Sequence, residues 1–255
     1  MSGWEIVAIL GAGMVAGTMN TVVGSGTLIT FPTLLAFGIP PVTANVSNNL
    51  GLVPGSIAGA WGYRRELAGQ KAQLLRLVGA SVIGALTGAV LLLTLPPEAF
   101  EAIVPALILL GVVLVIFQPR LSAAVARRAE RRGTTLDHHG AWWVGPAVLL
   151  AGVYGGYFGA GQGVLLMAIL GIGVAETLQS SNAVKNVLAA LVNGMAGLVF
   201  ALVADVDWAV AGLIGLGATA GGLLGARVGR RLPPLVLRVV IVVVGVAALT
   251  AFLRQ

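Results

Sequence analysis

Polar residues gather in a few short clusters along this chain, and long apolar runs fill the intervals between them. Apolar runs cover residues 5–23, 27–39, 42–63, 74–95, 98–117, 141–158, 162–172, 177–203, 208–226 and 235–253. A helix needs about 20 residues, rising ~1.5 Å each, to cross the hydrocarbon core of a bilayer, and most of these runs reach that length. Two do not. Residues 27–39 and 162–172 give only ~16–20 Å as helices, and each follows a glycine turn, Gly24-Ser25-Gly26 or Gly159-Ala160-Gly161. They read as half-helices returning from a re-entrant hairpin.

Composition supports the membrane reading. Of 255 residues 58% are hydrophobic and only 9% charged, too few charges to coat a water-soluble domain of this size. The 37 glycines and 11 prolines break the apolar runs in a way that transmembrane helices tolerate. With no cysteine, there is no disulfide framework, thiolate metal site or cysteine nucleophile. Residues 1–10 carry no Lys or Arg ahead of the first apolar run, so that run is expected to be retained rather than cleaved as a signal peptide.

The placement of charge then sets orientation. Arg64, Arg65, Lys71 and Arg76 make one loop basic, Arg120 to Arg132 a second, and Arg227, Arg230 and Arg231 a third. Glu98 with Glu101, and Asp205 with Asp207, mark loops free of Lys and Arg. Positive loops stay in the cytoplasm, so the first three are expected inside and the acidic pair outside, with both termini outside. The region 141–172 then has to enter the membrane and return. Ten full crossings would satisfy the same parity; the relation between the two short runs favours hairpins.

That relation is an internal repeat. An offset of 137 residues carries Asn45 onto Asn182, Asn49 onto Asn186, Gly84 onto Gly221, Gly88 onto Gly225 and Leu95-Pro96-Pro97 onto Leu232-Pro233-Pro234, while the glycine turns match at 135. Equivalent loops carry opposite charge, which places them on opposite sides of the membrane. The expected fold is therefore an all-α polytopic membrane protein of two inverted repeats, each a re-entrant hairpin plus three transmembrane helices. The first repeat covers 1–117 (hairpin 5–39, spans 42–63, 74–95 and 98–117), and a cytoplasmic linker covers 118–140. The second repeat covers 141–255 (hairpin 141–172, spans 177–203, 208–226 and 235–253). The linker's arginines fit a short basic helix on headgroups or, more simply, a solvated cluster. No aromatic residues interleave with them, which argues against nucleic acid. Gly84-xxx-Gly88 and Gly221-xxx-Gly225 fit close helix packing.

Polar residues inside the runs are the candidate chemistry. All seven asparagines, Asn20, Asn45, Asn48, Asn49, Asn182, Asn186 and Asn193, lie within apolar runs, where an amide must find a partner or line a wet cavity. For Asn20 and Asn193, helix-to-helix glue is as good a reading as function. The pairs Asn45/Asn49 and Asn182/Asn186 stand i,i+4 on one helix face and are repeat-equivalent, as a site would be. Between the latter stands Lys185, the only ionisable residue deep in a run, opposite the neutral Asn48 of the first repeat and without an acid deep enough to pair with it. An uncompensated positive charge suggests an anionic ligand. The turns Ser25-Gly26-Thr27 and Gly161-Gln162-Gly163 each start a half-helix, whose free N–H groups and positive dipole end suit an anion; the two tips are expected to face each other.

Hydrolytic chemistry finds no residues here. Both histidines, His138 and His139, and all three aspartates lie in loops, and no phosphate-binding Walker loop occurs, so neither cofactor nor metal is expected. With Gly11-Ala12-Gly13, Gly24-Ser25-Gly26-Thr27, Phe31-Pro32, Ala44-Asn45-Val46-Ser47-Asn48-Asn49 and the second copies Gly159-Ala160-Gly161-Gln162-Gly163 and Ser181-Asn182-Ala183-Val184-Lys185-Asn186, the chain resembles the TauE/SafE sulfite exporter family over nearly its whole length. That family is also called the 4-toluene sulfonate uptake permease family. The resemblance implies a polytopic transporter of the cell inner membrane, moving sulfite, sulfonate or a related organosulfur anion such as sulfoacetate, with export the expected direction. Its expected partners are that small anion, membrane lipid and, as an open question, further copies of itself. A channel or a non-transporting membrane scaffold subunit is the alternative.

Overall fold

A computed structural model describes residues 1–132, 141–174 and 177–228, together with single positions at 239, 242, 243, 246 and 250. Among the described residues the chain is all helical, with no strand. The helices are α1 (Gly3–Val22), α2 (Thr27–Ala36), α3 (Pro41–Gly62), α4 (Lys71–Thr94), α5 (Pro97–Arg132), α6 (Val144–Tyr157), α7 (Gln162–Gly173), α8 (Leu178–Val203) and α9 (Trp208–Val228). Apart from those single positions, the expected span at 235–253 lies outside the described residues, as do the Leu232-Pro233-Pro234 match and both histidines.

Local chemistry explains where several helices begin. Ser2 and Glu5 form a reciprocal capping box at the start of α1, and Thr177 accepts a hydrogen bond from the Ser180 N–H at the start of α8. Pro41 opens α3 at a position where its missing N–H costs nothing. Helices α1, α4, α8, α9 and the 97–120 part of α5 are long and apolar enough to cross a membrane. At 22 residues α3 has the length, yet Asn45, Ser47, Asn48, Asn49 and Ser56 make it more polar, and all five are buried. The chain is a multi-pass membrane protein whose most polar spanning-length helix faces inward.

The short helices α2 and α7, of 10 and 12 residues, rise only ~15 and ~18 Å and cannot cross. Each packs back on the helix before it. Their first arms differ: α1 has 20 residues and is long enough to cross alone, whereas α6 has 14. A second departure concerns the linker. The helix α5 runs through Pro119 to Arg132, so the basic stretch continues the last helix of the first half instead of beginning a loop.

Helix starts keep the repeat spacing. Those of α2, α3 and α4, at 27, 41 and 71, precede those of α7, α8 and α9, at 162, 178 and 208, by 135, 137 and 137 residues. Packing follows the same exchange, with α1 on α9 and α6 on α4. Both contacts are glycine seams. A methyl at Gly84 or Gly88 would collide with the Leu149 or Val153 carbonyl of α6, and one at Gly217 or Gly221 with the Leu10 or Met14 carbonyl of α1. Helix backbones approach this closely only where side chains are missing. Beneath the α2 hairpin, Phe31, Phe100 and Phe158 pack edge to face at centroid distances of 5.1–6.4 Å, tying α2 to α5 and to the end of α6.

Candidate functional site

The two glycine turns meet each other. Gly24, at φ +90°, lies against Gly163 so closely that a methyl on either would overlap the other's Cα, and the Gly163 N–H donates to the Gly24 carbonyl at 3.0 Å. Only glycine satisfies both the left-handed backbone and the contact at position 24.

Around this contact each long polar helix reaches the C-terminal end of the opposite half's first hairpin arm. From α8, the Lys185 Nζ donates to the carbonyls of Asn20 and Thr21 at 3.0 and 3.2 Å, and the amides of Asn182 and Asn186 both donate to Thr21 at 3.4 Å. From α3, the Asn45 amide donates to the carbonyl of Tyr157, the last residue of α6, at 2.9 Å. Helix C-termini expose unpaired carbonyls and carry the negative end of the helix dipole, which explains why donors collect there. Asn48, the counterpart of Lys185, stays within its own half: it accepts from the Thr30 hydroxyl, and its amide donates to Thr27 Oγ1 at 3.4 Å.

Two sequence expectations change in detail. Lys185 is fully buried and is the only charged side chain in the buried set of described residues, but its charge is not bare. Two main-chain carbonyls accept from it, leaving one of its three N–H bonds to a further partner. The half-helix N-termini are also less open than expected. Gly26 N–H donates to Asn20 Oδ1 at 2.7 Å, and the N–H groups of Gln162, Gly163 and Val164 donate to Gly159, Gly24 and Gly161. These donors are met by a turn's own carbonyls at Gln162 and Val164, by the Asn20 side chain at Gly26 and by the facing turn at Gly163. Asn20 therefore closes the first turn, and Asn193 donates to Ser56 at 3.2 Å, joining α8 to α3 at positions 137 residues apart.

What remains unpartnered is side-chain polarity. Ser25 Oγ, Asn45 Oδ1, Asn49 Oδ1, Asn182 Oδ1, Gln162 Nε2 and the Tyr157 hydroxyl are buried atoms with no hydrogen-bond partner among the described residues. The amides of Asn45 and Asn182 must point their nitrogens at carbonyls, so the atoms they leave free are acceptors. Ser25, Gln162 and Tyr157 supply donors. Buried polar atoms of this kind are ordinarily matched by water or a ligand. The side chain of Gln162 lies against Gly155, and Gly161, at φ +80°, against Gly111. Thr30 and Tyr157 were not singled out in the sequence, though Tyr157 sits two residues before a glycine turn with its hydroxyl in an apolar run. No group of three His, Cys, Asp or Glu side chains suited to a metal occurs among the described residues.

Comparison with known proteins fits this architecture. The sulfite exporter TauE/SafE family matches residues 9–252. The chain belongs to that family. A probable membrane transporter protein, ORF9, of Sinorhizobium sp. is 28% identical over 249 residues, covering 92% of this chain and 87% of that protein. The probable membrane transporter protein YfcA of Escherichia coli K12 is 28% identical over 231 residues, covering 86% and 77%. A probable membrane transporter protein of Haemophilus influenzae is 27% identical, covering 90% and 86%. No solved structure matches the chain. Membership makes this protein a multi-pass membrane transporter rather than an enzyme.

Proposed function

We propose that the protein is a secondary transporter that moves a small organosulfur oxyanion, sulfite or a sulfonate such as sulfoacetate, out of the cell across the inner membrane by alternating access. The observation that carries this reading is Lys185: a fully buried ammonium beside two touching hairpin tips, matched among the described residues by carbonyl dipoles and not by a carboxylate. Its remaining N–H, with Ser25, Gln162 and Tyr157 as neutral donors, binds the oxyanion. The free oxygens of Asn45, Asn49 and Asn182 suit a group on the substrate that can donate, whether a hydroxyl or a retained water.

The two halves are inverted repeats in this reading. The exchange of α1–α9 for α6–α4 packing and the Ser56–Asn193 bond between equivalent positions support it. Rocking of the halves exposes the tips to each side in turn. The basic ends of α3, α5 and α9 face the cytoplasm, and the N-terminus lies outside. Because the chain has no cysteine, a Glu130→Cys variant tests the orientation directly, and labelling of it from outside overturns the topology.

Counterflow of radiolabelled sulfite or sulfoacetate in proteoliposomes tests the function. Saturable exchange is expected. Linear, unsaturable flux would mean a channel, and no flux would mean a scaffold whose lysine and amides only tie helices to the α1 and α6 carbonyls.

A further inference from the structure

Away from the hairpin tips, the ends of α3 and α9 enclose a cleft of about 370 Å³ lined by Trp61, Gly62, Arg64, Arg65, Glu66, Leu223, Ala226 and Arg227. Its floor is tight: a methyl at Gly62 would overlap the Ala226 side chain, so the two helices cannot close further. Three guanidinium groups line the cleft against one carboxylate. Arg64 is fixed over Trp61, with its guanidinium carbon 4.1 Å from the ring centroid and Nη1 donating to the Trp61 carbonyl at 3.1 Å. That contact uses up the α3 end as an attraction for Arg64. Neither Arg65 nor Arg227 has a hydrogen-bond or ion-pair partner among the described residues, and both are exposed at the mouth.

The surroundings distinguish a lipid from a dissolved anion. The cleft lies where two membrane-length helices end, and thus at headgroup depth. Leu223 stands one turn before Arg227 on the same face of α9, and Trp61 is exposed beside Arg64. Charge at the mouth, with an aromatic ring and a leucine on the wall running toward the apolar part of the helices, matches a phosphate that carries acyl chains. Basic pockets between spanning helices take anionic headgroups, and arginine offers such a phosphate two parallel N–H bonds.

We propose that this cleft is a binding site for the phosphate of an anionic phospholipid, held by Arg64, Arg65 and Arg227 with Trp61 and Leu223 against the start of its chains. The site is separate from Lys185 and does not depend on the transport reading. Quenching of Trp61 by phosphatidylglycerol with brominated chains, measured on the purified full chain in mixed micelles, tests it. The Trp61→Phe variant isolates the signal of that residue. Phosphatidylglycerol is expected to quench Trp61 at about tenfold lower mole fraction than brominated phosphatidylcholine, and each arginine changed to glutamine to reduce that preference about fivefold. The triple Arg→Lys variant keeps part of the preference, because charge remains while the paired N–H geometry is lost. Millimolar inorganic phosphate is expected to leave the quenching in place; full displacement by it would assign the cleft to a free anion and overturn the lipid. Equal quenching by the two lipids, or an undiminished preference in Arg65→Gln and Arg227→Gln, overturns the proposal as well. The single variants decide the matter if the triple one does not fold.

Discussion

The two halves place the same kind of helix beside the same kind of hairpin and use it differently. In the first half, Asn48 turns toward the threonines of its own short helix; in the second, Lys185 at the equivalent position crosses to the carbonyls ending α1. Asn45 and Asn182, by contrast, make the same kind of cross-half bond, at 2.9 and 3.4 Å. The frame repeats, then, and the charge does not. Helices that keep their amides while placing a lysine on only one side make the contacts around the two tips unequal.

Substitutions can break that contrast in order of size. Lys185→Ala is expected to lower anion affinity in counterflow by about 100-fold, the upper range for a hydrogen bond to a charged group, with the protein still folded. Exchanging the two residues, Lys185→Asn with Asn48→Lys, is expected not to restore it, since position 48 faces threonine hydroxyls and not a helix C-terminus. Restored transport would show that only the presence of a charge matters. Next come the tips. Gly163→Ala should destabilise the protein by about 2 kcal/mol in thermal unfolding in detergent, from overlap alone, and Gly24→Ala by more, because it adds a left-handed backbone to the same clash. Equal losses would mean that contact, not conformation, limits both. Asn45→Ala should cost about 1 kcal/mol and Asn182→Ala less, following their bond lengths and the support Asn186 gives to Thr21. The smallest effect, about 0.6 kcal/mol, is expected for Asn193→Ala, and a double-mutant cycle with Ser56→Ala isolates it.

Much of this was legible from residue spacing. Segment length marked α2 and α7 as too short to cross, and the 137-residue offset carried α3 onto α8 and α4 onto α9. Glycines spaced by four marked α4 and α9 as close-packing helices, because backbone approach depends on what is missing at those positions, while their partners α6 and α1 came from the fold. Carbonyl partners were not legible. Nothing in the residues around Lys185 says that Thr21 ends a helix beside it, since every residue carries a carbonyl and only the fold decides which are left over. The same reason hid the satisfied donors of the turns at Gly26 and Gly163. Helix α5 continued through Pro119 because a proline weakens a helix locally without dictating its end, and the sequence beyond it is rich in Ala and Arg, which favour helix.

The contact between Gly24 and Gly163 has a mechanical consequence. It is a join made of bare backbone, with a single hydrogen bond across it and no side chain interlocked. Pulling it apart exposes almost no apolar surface, so the work required depends on what replaces that bond. In a dry interior the orphaned groups cost several kcal/mol, whereas with water at hand the net loss is about 1 kcal/mol. In the alternating-access reading proposed above, such a join would hold against separation where no water reaches it and would yield where water arrives with a hydrated solute, so that solvent itself would be the key that releases it.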